Sequence, residues 1–229
     1  MNTDKQNNIS LQIKESQVLF NKGDYISSLE VLQSVLKEDP TNFQINYNLA
    51  IVLIKMEEYE KAINHLDVIT NNEYQFIHYN HTLILKGYTQ AMMNDLKGAK
   101  KTLSLSLKYD GKNMKALSIL SYIHYLAKEY DVALRIYDRI LEIDSKNSTA
   151  LNSKGFILIE TDKNIDEGLE LCKKAYKINP NSPAILDSIA WAYYKKGNID
   201  NSLTYIKRAF ELSPNNPEIK QHLKKIISS

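Results

Sequence analysis

With 229 residues, 43% hydrophobic and 24% charged, the chain has the makeup of a folded globular protein and not of a disordered one. Its 29 basic and 27 acidic side chains leave a formal charge of +2, too weak a field to gather nucleic acid or an anionic membrane, and no stretch reaches the ~20 apolar residues that a membrane helix needs. The single Cys172 excludes an intramolecular disulfide, and only 7 Gly and 5 Pro, spread along the chain, leave room for long helices.

The first residues, Met1 to Asn8, are polar and hold no basic stretch followed by an apolar run. Residues 1–8 are therefore expected to be disordered, without a secretory signal, and the chain to be cytoplasmic. From Ile9 onward the chain repeats itself. A small residue recurs at Ser28, Ala62, Ala99, Ala133, Gly168 and Ser202, at spacings of 34, 37, 34, 35 and 34. This divides the array into copies over 9–42, 43–79, 80–113, 114–147, 148–182 and 183–216, each predicted to be two helices joined by a tight turn.

The copies share a frame. The first carries Leu19, Tyr25, Ser28 and Pro40; the second Ala50, Leu53, Tyr59 and Ala62; the third Gly87, Ala99 and Leu103. The fourth has Ser121, His124, Tyr130 and Ala133, and the fifth Gly155, Leu158, Gly168, Cys172 and Pro180. The 37-residue step inserts three residues around Thr70 to Tyr79, and the 35-residue step adds one within Glu160 to Ile165. The sixth copy is the best formed, with Leu186, Ile189-Ala190, Tyr193, Gly197, Ser202, Ile206, Ala209 and Pro214. Small positions let paired helices approach, large ones fill between them, Gly23 and Gly197 end first helices, and Pro40, Pro180 and Pro214 stop second helices. Asn216-Pro217-Glu218 then opens a capping helix over 217–229, with Ile219, Leu223 and Ile226 on one face and Lys220, Lys224 and Lys225 in water.

On these residues the chain resembles the tetratricopeptide-repeat (TPR) family over most of its length, and its last two copies are similar to those of bacterial, notably alphaproteobacterial, members. The resemblance implies an all-α, right-handed superhelical solenoid of about six helical hairpins plus the capping helix. It also implies a protein that binds other polypeptides in a concave groove lined by the first helices.

No phosphate-binding glycine loop, HExxH, paired CxxC or nucleophile elbow is present, so no enzymatic activity and no cofactor is expected. His78 and His81 with Glu73 lack the ligand set of a metal site, and Cys172, in a core position without a basic neighbour, reads as a structural thiol. The family's carboxylate clamp is also excluded: Asn48 matches its middle position, but His81 and Leu85 stand where a basic pair is required.

The groove implied by the resemblance is lined here by Tyr47, Tyr88, Tyr122, Tyr125, Asn152, Phe156, Asp187, Trp191 and Tyr194. Aromatic faces give contact area at low entropy cost, while Asn152 and Asp187 could bond an extended backbone. The expected function is a non-enzymatic scaffold or adaptor for a protein or peptide partner. One alternative is a homo-oligomeric module associating through Tyr74 to Tyr79. The other is an RNA-binding helical repeat, disfavoured by the near-neutral charge. Gly168, inside a helix, is expected to tolerate alanine with a gain of about 0.5–1 kcal/mol.

Overall fold

The structure, a computed structural model, describes residues 2–72 and 76–228. It is all-α, with thirteen helices and no strand among the described residues. The helices are α1 (Asn2–Asn21), α2 (Tyr25–Leu36), α3 (Phe43–Lys55), α4 (Tyr59–Thr70), α5 (Phe76–Met92), α6 (Leu96–Tyr109) and α7 (Met114–Leu126). They continue as α8 (Tyr130–Ile143), α9 (Ser148–Glu160), α10 (Ile165–Ile178), α11 (Pro183–Lys195), α12 (Ile199–Leu212) and α13 (Pro217–Ile227). Two compact units divide the chain, Met1–Ile119 and Leu120–Ser229.

The first amides of a helix have no partner within it, and this sequence supplies side-chain acceptors for them. Asp24 accepts from Ser27 N, Asn42 from Ile45 N, Asp95 from Gly98 N and Asn147 from Ala150 N. Asn164, Asn198 and Asn216 do the same for α10, α12 and α13. The turn inside each helix pair needs one residue of left-handed backbone. Gly23 (φ 83°) and Gly197 (φ 74°) provide it as expected, but Glu57, Asn94, Lys128 and Asp162 take the same conformation at φ of 53–62°. A Cβ there is strained by roughly 1–2 kcal/mol. Lys128→Gly should therefore stabilise the protein by about 0.5–1 kcal/mol after glycine's own entropy cost, read as a higher urea midpoint at unchanged slope. An unchanged or lower midpoint would show that the turn carries no such strain.

The recurring small residues lie where paired helices touch. Ser28, Ala62, Ala99, Ala133 and Ser202 are fully buried, and Gly168 is buried with them. Hydroxyls placed there are satisfied across the pair: Ser28 Oγ lies 2.8 Å from Ser16 Oγ, Ser202 Oγ donates to Ala190 O at 2.8 Å, and Ser121 Oγ donates to Ala133 O at 2.8 Å. Around these contacts the first unit buries Ile9, Ile13, Leu32, Val35, Ile45 and Leu49, each worth about 1.5–3 kcal/mol when taken from water. The second unit has one core around Ile159, Cys172 and Ile189, and another in which Ile219 and Ile226 of α13 cover Leu186 and Ile206.

Gly168 corrects the expectation of a stabilising alanine. A Cβ built on it would lie 2.6 Å from Ile159 Cγ1 and 2.7 Å from the backbone oxygen of Gly155, and Gly155 meets Gly168 O in the same way at 2.6 Å. Backbone cannot swing aside like the end of a side chain, so α9 and α10 must separate. Gly168→Ala should cost about 1–3 kcal/mol, outweighing the gain in helix propensity. A thermal melt at or above the wild-type midpoint would contradict the close approach.

α1 already runs from Asn2, within the stretch expected to be disordered. Burial of Ile9 and Ile13 holds the helix in place, and extending a formed helix escapes the nucleation penalty. Gln12 Nε2 donates to Asn8 Oδ1 at 3.4 Å one turn along. The third pair opens at Phe76 and not at residue 80: α5 has 17 residues where α3 has 13, so the insertion extends the helix by about one turn and keeps its buried face in phase. Glu73 and Tyr74 lie outside the described residues, as do the side chains of Phe76 and Ile77. The extra residue of the 35-residue step falls in the turn over 161–164, where Asn164 N donates to Leu158 O at 3.3 Å.

Candidate functional site

Of the nine groove residues, Tyr47 and Tyr88 line a cleft of about 600 Å³ in the first unit, together with His81, Ile84 and Lys115. Tyr88 is 39% exposed, and Tyr47 is stacked on Phe43 at 5.4 Å with its hydroxyl pKa raised by burial. Five others, Tyr122, Tyr125, Asn152, Phe156 and Asp187, meet in the second unit around a pocket of about 290 Å³. Trp191 and Tyr194 do not line it.

The pocket follows from helical spacing. On α7, Tyr122 and Tyr125 are three residues apart and so share a face; on α9, Asn152 and Phe156 are four apart, as are Asp187 and Trp191 on α11. The Tyr122 and Tyr125 rings stack at 6.2 Å and 26°, and Phe156 meets Tyr125 at 6.2 Å and 64°. Tyr122 is 53% exposed. Burial, with Glu160 and Glu218 nearby, pushes the Tyr125 hydroxyl up to about 12. Among the described residues Asn152 Oδ1 is buried without any hydrogen-bond partner. Below the pocket Cys172 is buried, its thiol raised to about 12 mainly by desolvation, which agrees with a structural role.

Trp191 was expected at the groove surface and is instead part of the core, only 5% exposed. Its indole stacks on His222 at 4.2 Å and 11° and on Tyr194 at 5.0 Å and 20°, and Nε1 donates to Glu160 Oε2 at 2.7 Å. The Lys225 ammonium lies over the same ring at 5.1 Å. Asp187 is 4% exposed, and His222 Nδ1 sits 2.9 Å from both of its carboxylate oxygens, so Asp187 borders the pocket with its charge already engaged. The cause in each case is α13, which packs on α11 and α12 and closes over what would otherwise be open first-helix surface.

Sequence reasoning missed two residues of this site, His222 and Glu218. His222 is buried on α13, three residues after Ile219 and four before Ile226, so its place on the apolar stripe was the available signal. Glu218, in the first turn of α13, lines the pocket and brings a carboxylate oxygen within 4.8 Å of the Asp187 and His222 ligand atoms. Desolvation and the nearby Asp187 charge raise its carboxyl pKa, while His222 opposes them. His124, expected to pack between helices, is half-buried and paired with Glu129.

Known proteins agree with this architecture. The tetratricopeptide-repeat profile matches residues 19–83 and a second such profile matches 184–216. A TPR repeat-containing protein of Pseudomonas aeruginosa, PA4667, is 40% identical over 58 residues, 25% of this chain and 10% of that protein. The chain thus spans only a small part of that relative. The crystal structure of a tetratricopeptide repeat protein from Parabacteroides merdae superposes with a TM-score of 0.80 at 15% identity, over 96% of this chain and 84% of the other. That of YrrB, described as a TPR protein with an unusual peptide-binding site, gives 0.57 at 18% identity, over 86% and 99%. These matches make residues 19–83 and 184–216 tetratricopeptide repeats, and the helix pairs and small-residue contacts carry the same fold along the chain.

Proposed function

We propose that the protein is a non-enzymatic scaffold that holds a segment of a partner polypeptide, with the pocket walled by α7, α9, α11 and α13 as its main contact. TPR folds serve protein–protein interaction, and the peptide-binding site named for YrrB belongs to a protein of the same fold. The observation that carries the reading for this chain is Asn152 Oδ1, buried and unpartnered beside three aromatic rings. An acceptor withdrawn from water without a partner costs about 1–3 kcal/mol, and an amide N–H of an extended peptide recovers that cost. The rings supply contact area around it.

Selection from a displayed random-peptide library on the intact protein tests the proposal. Selected peptides should bind the wild type and lose affinity for the Tyr122→Ala/Asn152→Ala variant. Peptides indifferent to both changes would move the binding surface elsewhere, and a library that yields no binder would remove the peptide reading.

A further inference from the structure

The charged residues that line the pocket, Asp187 and Glu218, are both acidic, no lysine or arginine lines it, and its hydroxyls and amides can accept as well as donate. Asn152 contributes its unpartnered oxygen. Glu218 contributes a carboxylate that, among the described residues, makes no ion pair or hydrogen bond of its own. By contrast, the neighbouring Glu160 carboxylate is bound by Trp191 Nε1 and the Asp187 carboxylate by His222. Tyr122, Tyr125 and Phe156 form the wall with their rings, whose faces carry the negative end of the aromatic quadrupole.

From this arrangement we infer that the pocket takes a cationic side chain of the bound polypeptide, arginine ahead of lysine. The inference rests on the peptide-binding reading above and names which residue of the peptide anchors it. A guanidinium is planar, stacks on aromatic faces and carries five donors in a fixed fork, so one group can lie against Tyr122 and Tyr125 while bonding the Glu218 carboxylate, with Asn152 Oδ1 left to the peptide main chain. An ammonium can meet the same acceptors only as a point charge and stacks less well. Electrostatics point the same way: burial first and then the Asp187 charge raise the Glu218 carboxyl, with Glu160 adding a smaller push and only His222 opposing. An arriving cation relieves that crowding. The volume of about 290 Å³ suits one long side chain better than the flank of a helix.

The test uses the intact protein and a set of short synthetic peptides of one neutral host sequence, with arginine, lysine, citrulline, leucine or glutamate at the centre, titrated by calorimetry. The arginine peptide should bind at least about tenfold more tightly than the citrulline peptide, which has nearly the same shape without the charge, a difference of ~1.4 kcal/mol. Glu218→Gln should shrink that ratio to about twofold or less, and Glu218→Lys should remove arginine binding while leaving the circular-dichroism spectrum in place. Glu218 lies in the first turn of α13, where the helix dipole favours an acid and the Asp187 charge disfavours it, so the glutamine variant should fold normally. If leucine or glutamate peptides bind as well as arginine, the peptide groove stands and this inference falls. If no peptide in the set binds, both fall. If zinc chloride binds at Asp187, Glu218 and His222 and excludes the arginine peptide, the site is a metal site and the inference is overturned.

Discussion

Trp191→Ala is expected to cost the Leu120–Ser229 unit about 3–5 kcal/mol, the usual range for truncating a buried tryptophan. The side chain is 5% exposed, lies between His222 and Tyr194, and donates a hydrogen bond to Glu160. Its removal opens a cavity between α11 and α13, leaves the half-buried Glu160 carboxylate without the indole donor, and takes away the ring beneath the Lys225 ammonium. Urea denaturation should show the loss, and hydrogen exchange should locate it in α11, α12 and α13. The opposite expectation, that this tryptophan is dispensable for folding because it faces a ligand, would regain its place if the variant melted within a degree or two of the wild type.

The second large effect separates binding from stability. Tyr122→Ala combined with Asn152→Ala should weaken binding of a selected peptide by about tenfold or more, ~1.4 kcal/mol at least, because it removes an exposed aromatic face and the waiting acceptor together. The same change should leave the fold intact. Tyr122 is 53% exposed and contributes little to the core, and replacing Asn152 removes a buried group that no other residue satisfies while improving helix propensity. A melting temperature equal to or above the wild type, with binding lost, is the expected signature of a site maintained at the expense of stability. Unfolding of the double variant would mean that these side chains serve packing.

Much of the fold was legible because its packing rule is local and repeated. The small residues from Ser28 to Ser202 mark where helices must touch, and each is buried there. Asn and Asp caps and the prolines near the helix ends punctuate the pairs by chemistry that acts over a few residues. The turns at Glu57 and Lys128 were harder to see, since neither residue favours left-handed backbone and the conformation is imposed by the pair on either side. The site was only half legible for a related reason. Tyr122, Tyr125, Asn152 and Phe156 could be placed on first-helix faces by periodicity, but the fate of Asp187 and Trp191 depends on His222, 35 and 31 positions further on. Nothing in the repeat frame encodes that partner. Glu218 likewise looked like an ordinary acid in a first helical turn, and its second role emerges only when α13 comes to rest against α11.

The placement of α13 also orders events during synthesis. Glu218 and Ile219 form part of the pocket wall, yet they follow Phe156 by 62 and 63 positions, so the ribosome delivers the aromatic side well before the acidic one. A nascent chain that has reached α12 but not α13 presents an unfinished hollow, with Trp191 uncovered by His222 and the Glu218 carboxylate missing. If the pocket holds a partner as proposed, that occupancy waits on the arrival of α13 and so on the synthesis of every helix before it.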